Sequence, residues 1–166
     1  MIFTDSSPTG IVALIAKQAR ELGFTNVIYN PSGILEARVL IETAGVKGSS
    51  NILNPRLFPE PPTKLFAEIK RRYEEKYKED MSSQTPELYP LPFWIAEAMK
   101  RAKSVNVDKV IETLPNTEWS NYPLGPARWG GEKFYGIKRQ IVYPLPLSLL
   151  QDGKWKLIMK KDMALD

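Results

Sequence analysis

The chain has 166 residues, of which 23 are Lys or Arg and 19 are Asp or Glu, so its formal net charge is +4. It contains no Cys and no His, which excludes disulfides, thiolate or imidazole metal sites, and catalysis by a Ser–His or Cys–His pair. No run of eighteen apolar residues occurs, so the sequence offers no candidate membrane-spanning helix. The length suits one domain.

The first stretch, residues 1–53, alternates between the patterns of strands and helices. Apolar runs predict strands at Met1–Thr4, Asn26–Tyr29 and Ser49–Leu53. Helical spacing predicts helices over Ile11–Leu22 and Ile34–Thr43. Strands that alternate with helices of about ten residues predict an α/β fold with a parallel sheet flanked by helices.

Helix boundaries and faces follow from the same stretch. The helical spacing of the first helix is carried by four apolar residues, Ile11, Ile15, Ala19 and Leu22. Gly23 and Gly45 stand where helix C-caps belong.

The second stretch, residues 54–114, is predicted to be mainly helical. It opens with four prolines within Asn54–Thr63, which is typical of an extended connector. Helices are predicted over Thr63–Lys78 and Leu88–Lys103, and a short one over Val110–Leu114. Lys70–Glu79 mixes cations with anions, which is typical of a solvated helix face with Glu–Lys pairs. For that reason we expect no nucleic-acid partner despite the positive charge.

The third stretch, residues 115–166, is predicted to be irregular and to end in strands. Ile141–Pro144 is a strand candidate, Asp152-Gly153 is a turn signal, and Trp155–Met159 alternates like a closing strand. We expect the three stretches to form one compact unit.

Several segments, taken in order, carry a resemblance to a known family. They are Lys17–Phe24 (KQARELGF), the turn Asn30–Gly33 (NPSG), the spaced aromatics Phe66, Tyr73 and Tyr77, then Ala96–Met99 (AEAM), Ala102, Val105–Val110 (VNVDKV), and the turn Asp152–Lys154 (DGK). Together they resemble the extracellular solute-binding receptors of ABC importers, in particular the branched-chain amino-acid binding proteins with the type I periplasmic-binding fold. The resemblance covers nearly the whole chain.

The resemblance implies a binding protein without catalytic activity, metal or cofactor. Members of that family have two α/β lobes with a ligand cleft between them and are much longer than 166 residues. This chain resembles their carboxy-terminal portion, entering midway through the second lobe. The implied partners are a small polar solute, such as an amino acid, amide or carboxylate, and the importer's membrane subunits. An exposed sheet edge would also favour self-association of such a fragment.

The resemblance further implies an extracytoplasmic location. The opening residues MIFTDSSPTG lack the basic and apolar regions of a signal peptide. The chain as given is therefore expected to stay in the cytoplasm if it is expressed in this form.

Candidate ligand-binding residues lie in two loops that follow predicted strands. In open parallel sheets, ligands lie beyond the carboxyl ends of strands, near helix N-termini. Those residues are Asp5, Ser6, Ser7 and Thr9 in the first loop and Asn30 and Ser32 in the second. The same residue types are also ordinary helix N-caps. Amino-acid-binding members of the family place an acidic residue at the position of Ser32, so an ammonium group would be held differently here.

Other interpretations stay open at this point. The chain could be a stand-alone ligand-sensing or regulatory α/β domain that reuses the receptor fold. A hydrolase is disfavoured because no G-x-S-x-G occurs, and Glu74-Glu75 and Glu79-Asp80 are i,i+1 neighbours that do not face one another. The aromatic cluster Trp129, Phe134 and Tyr135 is either a stacking platform or, more commonly, core or interface.

Overall fold

The computed structural model describes residues 1–4, 8–31, 35–82, 85–117 and 121–162. Two compact units are present. Unit 1 consists mainly of Met1–Glu60 and Leu145–Lys161, and unit 2 mainly of Pro61–Met81 and Thr85–Pro144. The first predicted stretch thus shares a unit with the closing strands of the third, and the expectation of one compact unit stays a prediction. No helix within the described ranges is long and apolar enough to cross a membrane.

The helices and strands follow in chain order. They are β1 (Ile2–Phe3), α1 (Thr9–Glu21), β2 (Ile28–Tyr29), α2 (Ala37–Ser49), β3 (Ile52–Asn54), α3 (Lys64–Tyr77), α4 (Thr85–Leu88), α5 (Leu91–Ala102), α6 (Val107–Thr113), a 3-10 turn (Leu114–Asn116), β4 (Arg128–Gly130), α7 (Glu132–Tyr135), β5 (Gln140–Val142), β6 (Leu145–Gln151) and β7 (Lys154–Lys161).

Unit 1 is built on a five-stranded sheet with the order β1-β2-β3-β6-β7. The first three strands are parallel, with Ile2 opposite Ile28 and Ile28 opposite Ile52. Strand β6 is antiparallel to β3, and β7 is antiparallel to β6. The prediction of an α/β fold with a helix-flanked sheet is confirmed, and the sheet is mostly parallel, with an antiparallel hairpin at one edge.

The sequence pattern did not predict β6 as a strand of its own. Prolines at 144 and 146 interrupt its start, and a proline has no N–H to donate to a neighbouring strand. The structure accommodates Pro146 because β3 pairs only with the later residues Ser148–Leu150. Asp152 and Gly153 then form the turn into β7, and both adopt positive φ angles of 52° and 74°. The predicted turn and closing strand are confirmed.

Helix α1 buries a face that shares only Ala19 with the four residues whose spacing predicts the helix. Its buried residues are Val12, Ala13, Ala16 and Ala19, while Ile11 and Leu14 are about half exposed. The helix is apolar nearly all round in its first two turns, so periodicity alone allows two stripes. The stripe that contains three alanines is the one that packs in the core, since small side chains allow close approach of neighbouring elements.

The core of unit 1 joins helices α1 and α2 to the sheet. It consists of Val12, Ala13, Ala16, Ala19, Ile28, Leu35, Leu40, Ile52 and Leu150. Helix α1 ends as predicted at Gly23, where φ is +85° and the Phe24 N–H bonds to the carbonyl of Ala19. Within α2, Gly45 has non-helical angles (φ 72°, ψ 166°), so the first helical segment ends there as predicted and a second one follows across a kink.

Arg20 hydrogen-bonds to the turns that precede strands β2 and β3. Its guanidinium Nη1 donates to the carbonyls of Phe24 at 2.7 Å and Asn26 at 3.0 Å, and Nη2 donates to the carbonyl of Ser50 at 2.7 Å. Partial burial lowers the pKa of Arg20 from its usual value. One charged side chain therefore satisfies three carbonyls where α1 ends, β2 begins and α2 ends.

Unit 2 is held by a capped helix and an aromatic cluster. The Thr63 hydroxyl accepts from the Phe66 N–H at 3.0 Å, which caps α3, and donates to the Pro123 carbonyl at 2.6 Å. The Tyr122 ring lies 5.3 Å from Trp94 and 5.1 Å from Tyr143, measured between centroids. These contacts order a segment in which regular structure is sparse.

The charged face of α3 forms the predicted i,i+4 ion pairs. They are Lys70–Glu74 at 2.6 Å, Arg71–Glu75 at 2.7 Å and Arg72–Glu68 at 3.9 Å. The two adjacent carboxylates Glu74 and Glu75 thus each pair with a different cation along the helix surface. This arrangement is that of a solvated helix and offers no acid–base pair.

Candidate functional site

Three polar residues end the three parallel strands at the same edge of the sheet. Thr4 follows β1, Asn30 follows β2, and Asn54 is the last residue of β3. All three are buried, with Asn30 and Asn54 fully inaccessible to solvent. Because buried polar groups must be hydrogen-bonded, their partners determine the local structure.

Asn30 bridges the ends of β1 and β2. Its amide Nδ2 donates to the Thr4 carbonyl at 2.8 Å and lies 3.1 Å from the Thr4 hydroxyl oxygen. The Thr4 backbone N–H donates to the carbonyl of Tyr29 at 2.9 Å. These bonds continue the sheet beyond the last paired residues, Phe3 and Tyr29.

Asn54 repeats the arrangement one strand further along. Its amide Nδ2 donates to the Asn30 carbonyl at 3.3 Å, and its Oδ1 accepts from the Arg56 N–H at 2.9 Å. We call Thr4, Asn30 and Asn54 the strand-end ladder. Each of these side-chain hydrogen bonds joins the end of one strand to the end of the preceding strand. The ladder therefore fixes the points from which the following loops leave the sheet.

Thr9 connects the first loop to the second. It is the first residue of α1, and its hydroxyl oxygen accepts a hydrogen bond from the Glu36 N–H, the N-cap of α2, at 3.5 Å. The starts of the two helices therefore lie next to each other. Helix N-termini carry partial positive charge and unpaired N–H groups, so their convergence favours an anionic group on a ligand.

The predicted ligand-binding residues are only partly covered by the structure. Asp5, Ser6, Ser7 and Ser32 lie outside the described residues, and their role stays a prediction. Thr9 and Asn30 are described: Thr9 is the first residue of α1, and Asn30 directly follows β2. The Asn30 amide is engaged with Thr4, so a structural role is established for it, and its contact with a ligand also stays a prediction.

Thr4, Asn54 and Glu36 are hydrogen-bonded to the candidate residues, and the sequence did not single them out. A signal existed for two of them, because each parallel strand ends in an apolar pair followed by Thr or Asn. No such signal existed for Glu36, because this residue contributes a backbone N–H. Among the described residues, no group of three or more acidic side chains could hold a metal ion.

Comparison with known proteins places this geometry in a known fold. No family model matches the sequence. No curated protein matches it either. Among solved structures, the leucine-binding protein LivK of Thermotoga maritima matches with a TM-score of 0.75 and 22% identity, over 96% of this chain and 43% of its own.

Two further structures match over nearly the whole chain. The branched-chain amino-acid substrate-binding protein LivJ of Streptococcus pneumoniae, in complex with isoleucine, has a TM-score of 0.72 and 17% identity, over 98% of this chain and 44% of its own. A solute-binding protein of an R. palustris ABC transporter, in complex with benzoate, has a TM-score of 0.65 and 14% identity, again over 98% and 44%.

These matches confirm the fold implied by the sequence resemblance, that of part of a periplasmic ligand-binding protein. The chain spans less than half the length of each matched structure. The likeness is one of fold, since fewer than one residue in four is identical.

We predict that Asn30→Ala lowers the free energy of unfolding by about 1–3 kcal/mol without any ligand present. The substitution leaves the buried Thr4 carbonyl without the amide donor that now bonds to it. Urea unfolding followed by far-UV circular dichroism measures the change. Asn26→Ala, which removes the same side chain at an exposed position before β2, should cost less than about 0.5 kcal/mol. Equal costs for both variants would mean that the ladder does not hold the strand ends.

Proposed function

We propose that this chain forms part of the substrate-binding component of an ABC importer for a small polar solute such as an amino acid, amide or carboxylate. The observation that supports it most is the fold likeness to solute-binding proteins over 96–98% of the chain. The chain would bind its solute without performing chemistry on it. Because it spans about 43% of the matched LivK protein, further polypeptide would complete the ligand cleft.

A carboxylate is the ligand group that best fits the described part of the site. Leucine, isoleucine and benzoate, the solutes named for the matched structures, all carry one. In this chain the starts of α1 and α2 converge through Thr9 and Glu36, and a carboxylate suits N–H groups at helix N-termini. The proposed contacts come from Ser6, Ser7 and Thr9 in the first loop and Asn30 and Ser32 in the second, whereas Asp5 would pair with an ammonium group in a solute that carries one.

The proposed mechanism is closure around the solute followed by delivery to membrane subunits of the importer. Solute-binding proteins of this kind close by hinge motion, and the bound state gains contacts that the open state lacks. The location of such a protein is extracytoplasmic, where it meets both solute and transporter.

A thermal-shift screen tests the solute class. We expect leucine, isoleucine or benzoate to raise the melting temperature, because a ligand at a hundredfold excess over its Kd stabilises the native state by about 2.7 kcal/mol. The corresponding amides of these three solutes, which lack the carboxylate, test whether that group is required. Thr9→Val should weaken binding about tenfold, since one hydrogen bond to a charged group is worth about 1.5–3 kcal/mol.

The matched control for that screen is Thr25→Val, which makes the same change at an exposed position before β2. It should leave the ligand-induced shift unchanged. A chain that responds to amides as strongly as to carboxylates would rule out the carboxylate assignment. The same screen on this chain joined to a completing lobe tests the binding function itself. If no solute changes the melting temperature of that protein, the binding function is contradicted.

Self-association is a second proposed property, and the open edge of the sheet supports it. Strand β1 ends the strand order, and Phe3 on that strand is 59% exposed. Ile11 and Leu14 on α1 are 50% and 52% exposed. Exposed strand edges and apolar faces tend to pair between molecules.

We expect the isolated chain to sediment as a dimer or larger species, and Leu14→Glu to shift it toward monomer by burying a charge in the contact. Analytical ultracentrifugation measures both. Val105→Glu, at an 80% exposed apolar position in unit 2, should leave the assembly unchanged. A monomeric wild-type chain at micromolar concentration would contradict the proposal.

A further inference from the structure

The segment that connects β4 to β5 in unit 2 exposes large apolar side chains to solvent. Residues 131–139, which we call the hairpin tip, join the two antiparallel strands and contain the single helical turn α7. Gly131 starts that turn at φ +94°, where an added Cβ would lie 2.9 Å from the side chains of Gln140 and Tyr135. The tip is therefore a defined turn whose geometry requires glycine.

The tip exposes large apolar side chains. Phe134 is 61% exposed, Tyr135 is 62% exposed and Ile137 is 52% exposed. More than half of each side chain stays in contact with water, although apolar groups of this size each gain roughly 1.5–3 kcal/mol when fully removed from it. Such a group of exposed side chains marks a contact surface.

Three cations lie in the same hairpin tip as these apolar side chains. Lys133, Lys138 and Arg139 are exposed, and within the described part of the chain no ion pair involves them. The cations of α3 differ, because Lys70, Arg71 and Arg72 are each paired with a glutamate on their own helix. The charge of the tip is thus available to an external anion.

A pocket of about 400 Å³ lies beside the tip, lined by Gly130, Glu132, Lys133 and Lys138. Two ammonium groups and a glycine backbone fit an anionic headgroup of a few heavy atoms. The carboxylate of Glu132 opposes a second negative charge and so favours a singly charged phosphodiester over a phosphate dianion.

We propose that the hairpin tip docks on the surface of an anionic phospholipid membrane. Lys133 and Lys138 would take a phosphodiester headgroup in the pocket, and Phe134, Tyr135 and Ile137 would enter the interfacial layer. Aromatic rings and lysines are the side chains that favour this layer, and anionic lipids attract each nearby cation. The proposal goes beyond solute binding and does not depend on it.

Flotation with phospholipid vesicles tests the proposal on the full chain. We expect it to float with vesicles of 30% phosphatidylglycerol in phosphatidylcholine and to stay behind with phosphatidylcholine alone. The triple variant Lys133→Gln, Lys138→Gln, Arg139→Gln should bind at least about tenfold more weakly, since each cation near an anionic surface contributes several-fold in affinity. The double variant Phe134→Ser, Tyr135→Ser should lose a similar factor on the same vesicles, although its charge is unchanged.

The matched control is Lys70→Gln, Arg71→Gln, Arg72→Gln, which removes the same three charges from the paired face of α3 and should leave flotation nearly intact. Circular dichroism checks that each variant folds. Equal losses in both triple variants would show attraction by net charge and overturn the proposal. Flotation that is unaffected by the aromatic variant, and abolished by inorganic phosphate, would show a free-anion site and overturn it too. Failure of the wild-type chain to float with anionic vesicles would overturn it directly.

Discussion

The structure of unit 1 depends on satisfying the polar groups at the carboxyl ends of its three parallel strands. These strands are only two or three residues long, so backbone pairing within them gives few hydrogen bonds. The strand-end ladder adds further bonds across the buried edge, from Asn30 to Thr4 and from Asn54 to Asn30. Leaving any of these groups unpaired in the interior would cost on the order of 1–3 kcal/mol. The ladder therefore both stabilises the sheet and sets the positions of its loops.

The loops that leave this edge connect the fold to the proposed function. In open parallel sheets the crevice beyond the strand ends is the usual place for a ligand, because helix N-termini meet there. Thr9 and Glu36 show that convergence directly, through a hydrogen bond between the starts of α1 and α2. The ladder side chains occupy the space at the strand ends, so a solute would contact the loops that follow the strands. A rigid edge below the ligand contacts is what a protein needs to hold a ligand repeatedly in one orientation.

Much of this arrangement was predictable from the sequence, and the misses have physical causes. The strand–helix alternation and the helix C-cap at Gly23 were readable because they follow local rules of periodicity and backbone conformation. The buried face of α1 could not be predicted in this way. Apolar stripes begin at both Ile11 and Val12, and tertiary packing selects the second. Strand β6 was hidden by Pro146, whose missing N–H is tolerated because the pairing with β3 involves only the later residues Ser148–Leu150. The contact made by Glu36 comes from its backbone N–H, so the type of residue at this position does not predict it.

Native-state hydrogen exchange tests the central claim most directly, because it reports on each strand end separately without any substitution. The Thr4 and Asn30 amides donate across the sheet to Tyr29 and Leu53 at 2.9 and 3.0 Å, beside the ladder. If the ladder holds this edge, both amides should exchange as slowly as the Ile28 amide within the sheet, which means only through unfolding of the whole unit. Fast local exchange at Thr4 and Asn30, with Ile28 still protected, would show an edge that frays in solution and would contradict the account.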